Sequence, residues 1–319
     1  MAKRKQKVSY PGLLNDIMFK IVFGGTQSEA VLRYLLNALL DLRGPDKVVE
    51  LAILSPNPEK FFFDDKGPVL DLRAQDRRGS YYHVEVQLRG TDLDYIKRSL
   101  YYTARLYSDQ LKSGHDYHLL ERSVSISILD FVLFSKSDKL HSTFSLWDRT
   151  QDFQLTQDLE LHYIELPKFT PDKPKSLQTR FEKWLYILKF SDLYHTRELP
   201  ENLREEEGIQ MAIDAMRKAY AQDEIRAVIE AQEKAKRDEI SRISFAERKG
   251  REEGLEEGLE KGREQQQRAS VLEIIEARFE SVPGDLRARL KKVRDPEKLR
   301  ALIRKSATAP TLTEFLGEL

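Results

Sequence analysis

The segment YYHVEVQL, Tyr81 to Leu88, places titratable and amide side chains along one side of a predicted strand. His83, Glu85 and Gln87 alternate with apolar residues, and a period of two residues puts all three on a common face. One face of the strand can then pack in a core, while the other presents groups that bind ligands, orient water or transfer protons.

A second predicted strand, Val69 to Gln75, precedes this one, and a five-residue turn separates the two. Hairpin pairing across that turn sets Asp71 opposite Glu85 and Arg73 opposite His83. Side chains directly opposite each other have Cβ atoms about 4.5–5.5 Å apart, so the two carboxylates would repel. This repulsion has to be compensated, and a slip of one residue in the pairing would remove the acidic pair.

Three explanations for the paired carboxylates are open from the residues alone. One acid could have a raised pKa, a basic neighbour such as Arg73 or Arg89 could offset the charge, or a divalent cation could take oxygen ligands from both. Two carboxylates on a rigid sheet suit Mg²⁺, with positions left for water and a phosphate oxygen. The plain alternative is a solvated strand face on which Asp71 pairs with an arginine.

The elements that would position these residues are helices and strands in mixed order. The hydrophobic patterns predict helices at 13–23, 28–42 and 93–111 and strands at 48–54, 69–75, 81–88, 124–134, 143–147 and 159–166. Ser28 is the expected N-cap of the second helix. The order predicts an α/β fold in which helices flank a mixed sheet.

Composition limits the partners and the compartment. Lys and Arg together number 53, as do Asp and Glu, so no overall field draws the chain to nucleic acid or lipid, and a phosphate partner needs a local basic patch. The absence of cysteine excludes disulfides and thiolate zinc sites. With no long apolar run for a signal peptide or membrane span, we expect a cytoplasmic protein without a membrane partner.

The last third of the chain is rich in helix-forming charged residues. Gly250, Gly254, Gly258 and Gly262 recur every four residues, and each costs about 1 kcal/mol relative to alanine in a helix. Either close helix contact compensates or the segment is a frayed, flexible connector, which its polarity favours. The expected division is a basic tail at 1–9, an α/β domain at 10–195, a charged helical connector at 196–268 and a small helical domain at 269–319.

Three segments together resemble a known family. They are NDIMFKIVFG at 15–24, GPVLDLRAQDRRGSYYHVEVQL at 67–88 and IKRSLYYTARLYSDQLKSGHDYHLL at 96–120. In them the chain is similar, over roughly residues 10–190, to the recombination-promoting nuclease and putative transposase family of the PD-(D/E)XK nuclease superfamily. The resemblance implies a restriction-endonuclease-like α/β core, DNA as substrate, Mg²⁺ or Mn²⁺ as cofactor and phosphodiester hydrolysis as the reaction.

The same resemblance assigns roles to residues of the acidic face. The superfamily's first aspartate falls on Asp71 and its glutamate on Glu85, and the carbonyl of Val86 would complete the metal ligands. Its lysine position falls on Gln87, which is a departure from the pattern. An amide can orient the attacking water but carries no charge and takes no proton at neutral pH.

Other residues are expected to support the chemistry. Asp16 and Lys20 lie in the stretch that matches the family's N-terminal motif, with Lys20 as the candidate for the missing cation, and His83 shares the acidic face. On the helix at 93–111, Arg98, Tyr102 and Arg105 form one polar stripe, suited to DNA phosphates. The opposite face, expected to pack, carries Leu93, Ile96, Leu100, Tyr107 and Leu111.

The sequence therefore predicts a Mg²⁺-dependent DNA endonuclease, acting in mobile-element recombination or in defence against foreign DNA. A homo-oligomer, assembled through the helical C-terminal part, is the expected state. The alternative is a catalytically silent DNA-binding or scaffold protein that retains the nuclease fold, and Gln87 is the residue that favours it.

Overall fold

A computed structural model describes residues 10–25, 27–54, 71–88 and 93–319, without the side chains of Asp71 and Leu93. The basic tail and Arg89 lie outside these ranges. The chain divides into two compact units, residues 1–232 and 233–319.

The first unit is built on a six-stranded mixed sheet, as the sequence predicts. Its strands are β1 Leu51–Ile53, β2 Asp71–Asp76, β3 Tyr81–Gln87, β4 Ser123–Leu129, β5 His141–Trp147 and β6 Gln154–Glu165. They lie in the order β1-β2-β3-β4-β6-β5. The ladders of β3 with β4 and of β4 with β6 are parallel, and the others are antiparallel. The sheet therefore centres on β3 and β4.

Some of the helices begin at residues whose side chains cap them. The helices of the described ranges are α1 Asp16–Gly24, α2 Glu29–Leu39, α3 Leu93–Ser108, α4 Arg180–Phe190, α5 Glu201–Arg204, α6 Glu207–Tyr220, α7 Asp223–Phe279, α8 Leu286–Lys292, α9 Pro296–Thr308 and α10 Leu312–Leu316. Asn15 caps α1, and Thr179 with Glu182 forms a capping box at α4. Ser28 does not cap α2 as expected, because its hydroxyl donates to the carbonyl of Ile21, 3.1 Å away.

One face of the sheet is apolar and carries the main core. Val84 and Val86 of β3 belong to a buried cluster with residues of α1, α2, α4 and α6. The cluster continues beyond residue 195, through Leu199, Leu203, Ile209, Ala212, Ile213, Met216, Ala219 and Ile229. Much of the segment that the sequence assigns to a connector therefore contributes to the core of the first unit.

The other face is polar along β4 and is covered by α3. Ser123, Ser125 and Ser127 lie on this face, and α3 buries Tyr95, Ser99, Thr103 and Leu106 against it. The buried side of α3 is thus rotated from the predicted one, and Leu100 is 50% exposed. The small serines of β4 explain the difference, because they let polar side chains of α3 lie close to the sheet.

A buried ion pair fixes the end of β6. The Glu165 side chain is fully buried, and Oε1 accepts hydrogen bonds from the backbone N–H groups of Leu133 (2.6 Å) and Phe134 (3.0 Å). Lys168 Nζ donates to Glu165 Oε2 (2.6 Å) and to the carbonyls of Phe134 (3.0 Å) and Ser137 (2.6 Å). One carboxylate and one ammonium group therefore hold the loop at residues 131–137.

Two histidines meet where β5 and β6 pair. His141 Nε2 lies 2.9 Å from His162 Nδ1, and His141 stacks on Phe181 with ring centroids 5.5 Å apart. Burial, and to a smaller extent the neighbouring His162, lowers the pKa of His141 from 6.5 to about 4, against the opposing effect of Glu160. His141 is therefore neutral at neutral pH in the folded protein.

We expect the free energy of unfolding to fall as the pH decreases from 6.5 to about 4. In that window the unfolded chain takes up a proton at His141 that the folded chain does not. The contribution of neutral His141 to the free energy of unfolding is therefore complete above pH 6.5 and lost below about pH 4. One proton gives a limiting slope of about 1.4 kcal/mol per pH unit. Urea unfolding across this range measures it, and His141→Phe should flatten the slope. An unchanged slope in that variant would assign the proton uptake to another group.

The second unit is helical. Its part of α7 is continuous through all four glycines, and a Cβ at any of them would meet no atom within 4 Å. The segment is therefore helical and not a frayed connector. Close helix contact, the other explanation for the glycines, is not observed either within the described part of the chain. The end of α7 and the helices that follow it form a small core around Val271, Ile275, Leu286, Leu290, Leu299, Leu302 and Phe315. None of the helices within the described ranges is long and apolar enough to span a bilayer.

Candidate active site

The pairing of β2 with β3 follows the predicted register. Asp71 lies opposite Glu85 and Arg73 opposite His83. Residues directly opposite each other direct their side chains to the same face of a sheet. The face on which Glu85 lies is the polar one, because Glu85 is in register with Ser127 of β4.

The turn between the two strands fixes this register. Asp76 Oδ1 accepts hydrogen bonds from the backbone N–H groups of Arg78 (2.9 Å) and Ser80 (3.0 Å). Gly79 has φ +94°, in the left-handed region that favours glycine. A side chain there would also contact Glu121, whose Cδ lies 3.0 Å from the position of a Cβ. The turn sequence therefore holds Asp71 opposite Glu85.

Glu85 is held between two residues of α3. Its carboxylate is buried, with the residue 6% exposed, and Oε2 accepts a hydrogen bond from the Tyr95 hydroxyl at 3.3 Å. Arg98 Nη2 lies 3.6 Å from Glu85 Oε1. Burial raises the pKa of the Tyr95 hydroxyl, and the charge of Glu85 raises it further. Tyr95 therefore stays protonated and remains a hydrogen-bond donor to the carboxylate.

Arg98 also reaches the residue at the lysine position. Its Nη2 donates to the amide oxygen of Gln87 at 3.1 Å, and its guanidinium carbon lies 5.0 Å from the centroid of the Tyr95 ring. Gln87 is half-buried, and the Arg98 side chain is 42% exposed. The guanidinium of Arg98 on α3 thus lies beside the amide of Gln87, the residue at which the resemblance places the superfamily's lysine.

His83 lies deeper on the same face. It is 2% exposed, and its Nδ1 is 3.2 Å from the hydroxyl oxygen of Ser125. The ring of Tyr102 is 6.2 Å away, tilted by 56°. Of the three residues in the predicted stripe, Arg98 and Tyr102 are therefore brought to the polar face. Arg105 instead donates to Asp109 Oδ2 at 3.2 Å, on the exposed side of α3.

Asp16 and Lys20 lie one turn apart on α1. Both are buried, at 5% and 8% exposure, on a helix whose apolar residues pack in the core beneath the other face of the sheet. Asp16 Oδ2 accepts a hydrogen bond from Gln232 Nε2 at 3.4 Å. The expected catalytic role of Lys20 and supporting role of Asp16 stay predictions.

Tyr95 is the site residue that the sequence analysis missed. It precedes Arg98 by three residues and Tyr102 by seven, and this spacing places all three on one side of a helix. That spacing was a usable signal. The spacing alone does not single Tyr95 out, because an aromatic residue next to Ile96 is also typical of a packed core.

The oxygen donors of this face fit a hard divalent cation. Mg²⁺ and Mn²⁺ prefer carboxylate and carbonyl oxygens, which Asp71, Glu85 and the carbonyl of Val86 can supply. Among the described side chains, which do not include that of Asp71, no group of three or more His, Cys, Asp or Glu could hold a metal ion. The predicted ligand set therefore depends on Asp71.

Comparison with known proteins gives one match. A family model described as PD-(D/E)XK nuclease family transposase matches residues 13–246, more than half of the chain. No curated protein matches the chain, and neither does any solved structure.

Proposed function

This chain belongs to the PD-(D/E)XK nuclease family transposases, and from this premise we propose that it is a metal-dependent DNA endonuclease that hydrolyses phosphodiester bonds. The observation that carries the proposal is the register of β2 and β3, which sets Asp71 opposite Glu85. The carboxylate of Glu85, supported by Tyr95 and Arg98, is already held in place on a rigid strand.

The residues of the polar face have separate roles in this proposal. Asp71, Glu85 and the carbonyl of Val86 would hold Mg²⁺ or Mn²⁺, which when bound lowers the pKa of a water ligand and offsets phosphate charge. Gln87 orients the attacking water through its amide N–H, since its oxygen accepts from Arg98. His83, on the same face as Glu85, supports the charge balance around the carboxylates. The catalytic role of Lys20 and the supporting role of Asp16 are proposed only from the N-terminal motif, since α1 packs in the core beneath the other face of the sheet.

The surface beside the site is proposed to bind DNA. Arg98 and Tyr102 beside the polar face, with Arg105 on the exposed side of α3, would provide a local patch for phosphates in a chain of net charge +0. Recombination of mobile elements and defence against foreign DNA, in the cytoplasm, are the processes such a nuclease would serve. A homo-oligomer formed through the helical C-terminal part would bring two sites to one DNA.

The second candidate is a DNA-binding or scaffold protein that no longer cuts. Gln87 favours it, because an amide cannot take over the charge of a lysine. The guanidinium of Arg98, 3.1 Å from the same amide, favours the enzyme instead.

Plasmid cleavage distinguishes the two candidates. We expect the full chain to nick or linearise supercoiled DNA with Mg²⁺ and not with EDTA. Asp71→Ala should lower the rate by about 10²- to 10³-fold or more, because the cation loses a charged ligand. Asp116→Ala, at an exposed acid on the loop after α3, is the matched control and should cut like the wild type.

A wild-type chain that binds plasmid DNA but cuts nothing with either Mg²⁺ or Mn²⁺ would support the silent alternative. Equal cleavage by Asp71→Ala and the wild type would show that the acidic pair does not hold the cation.

A further inference from the structure

We propose that Arg98 is the cation of the active site and that its guanidinium exchanges partners, pairing with Glu85 in the metal-free protein and with the scissile phosphate once a divalent cation is bound. This inference rests on the proposed nuclease function. It gives Arg98 a role in the reaction itself, beyond a place on the DNA-binding surface.

The geometry places one guanidinium against two residues of β3. Arg98 Nη2 is 3.1 Å from the Gln87 oxygen and 3.6 Å from Glu85 Oε1. Glu85 and Gln87 are alternate residues of a strand, so both point to the face that α3 covers. The ring of Tyr95, 5.0 Å from the guanidinium carbon, fixes the direction from which Arg98 approaches.

The exposure of Arg98 leaves room for a phosphate. Its side chain is 42% exposed, whereas that of Glu85 is 8% exposed, so the guanidinium lies between the buried carboxylate and solvent. A guanidinium has several N–H donors in a planar fork that matches phosphate oxygens. Both contacts are made by Nη2, so Arg98 can keep its bond to Gln87 and leave Glu85 while the N–H groups of Nε and Nη1 donate to the substrate.

Charge explains why the partner would change. Without metal, Arg98 compensates for the cost of burying the Glu85 carboxylate. The same carboxylate would supply an oxygen ligand to a divalent cation, whose charge would repel the guanidinium, while an incoming phosphate would attract it. Because arginine keeps its proton at any working pH, Arg98 offsets charge that develops on the phosphate and transfers no proton.

Two effects of opposite sign follow from removing this charge. Without DNA, Arg98→Gln should bind Mn²⁺ about two- to fivefold more tightly, as expected for the loss of one competing, partly exposed ion pair. With DNA and saturating Mg²⁺, the same variant should cut about 10²- to 10³-fold more slowly. A purely structural ion pair would not tighten metal binding, because its loss would only loosen Glu85.

The experiment measures Mn²⁺ binding to the full chain by calorimetry, and plasmid cleavage with the same protein. Arg98→Lys keeps a charge and should recover part of the cleavage rate and weaken Mn²⁺ binding again. Lys97→Gln removes an equal charge from the neighbouring exposed position of α3 and should leave Mn²⁺ binding unchanged. Thermal unfolding of each variant checks that α3 remains folded.

The possible results test the exchange of partners, the role of Arg98 as the cation of the site, and the nuclease function separately. If the wild type binds Mn²⁺ and cuts DNA while Arg98→Gln binds Mn²⁺ equally or more weakly, the exchange is wrong. If Arg98→Gln and Arg98→Lys both cut at the wild-type rate, Arg98 is not the cation of the site. A wild-type chain that neither binds Mn²⁺ nor cuts DNA overturns the nuclease function, and the exchange with it.

Discussion

Lys168→Met is expected to lower the free energy of unfolding of the first unit by about 3–5 kcal/mol, the cost of leaving a buried charge without its partner. Glu165 is fully buried, and Lys168, at 12% side-chain exposure, lies 2.6 Å from its carboxylate. The variant would keep the two backbone N–H bonds to Glu165 Oε1 but lose the compensating charge. Urea unfolding, followed by circular dichroism, measures the loss.

Two further variants identify the cause. Glu165→Gln combined with Lys168→Met should recover more than half of the loss, because a neutral amide still accepts from the backbone and needs no cation. Arg77→Ala breaks an exposed pair with Glu50 at 3.1 Å and should cost less than about 1 kcal/mol. If Lys168→Met cost no more than Arg77→Ala, the buried pair would not hold the end of β6 as described.

A chain ending after Gln232 is expected to fold, and one ending after Phe190 is not. The shorter chain would lack nine buried residues of the main core, Tyr194 and the eight between Leu199 and Ile229. At roughly 1.5–3 kcal/mol for each large side chain, their loss exceeds about 10 kcal/mol, which is comparable to the whole stability of a typical domain. α6 packs so closely on α2 that a Cβ on Gly208 would lie 2.3 Å from Tyr34 Cβ.

Thermal unfolding and amide NMR dispersion of the two truncated chains test this. Cooperative unfolding of the chain that ends after Phe190 would contradict the role assigned to α6. A disordered chain ending after Gln232, beside a folded full-length protein, would show that the first unit needs the second.

The acidic pair was predictable because a hairpin is a local structure. The turn has five residues, with an aspartate at its start and glycine at position 79, and it allows few pairing registers of β2 with β3. The alternation of apolar residues selects one of these registers. Asp71 opposite Glu85 follows from these features alone. The mixed sheet was predictable for a similar reason, since each strand has its own period and its own breaks.

The surroundings of Glu85 depend on how α3 lies across the sheet. Periodicity identified a helix with one polar and one apolar side, but it predicted the wrong side as the buried one. The apolar side of a helix usually packs against the sheet, but the small serines of β4 let the polar side of α3 do so. Ser99 and Thr103 are therefore buried while Leu100 is exposed. The contact of Arg98 with Gln87 follows from this orientation, which no local pattern in α3 encodes.

The position of α1 has a consequence for the order of events during synthesis. The N–H of Leu13, just before α1, donates to the Ser191 hydroxyl at 2.7 Å, across 178 residues of sequence. At a synthesis rate of about 5–20 residues per second, roughly 10–35 s pass before that partner is made. Until then the core around Met18, Phe19 and Val22, all fully buried in the finished protein, lacks the buried residues that lie beyond Ser191. Docking of α1 is therefore complete only after the segment around Ser191 has been synthesised.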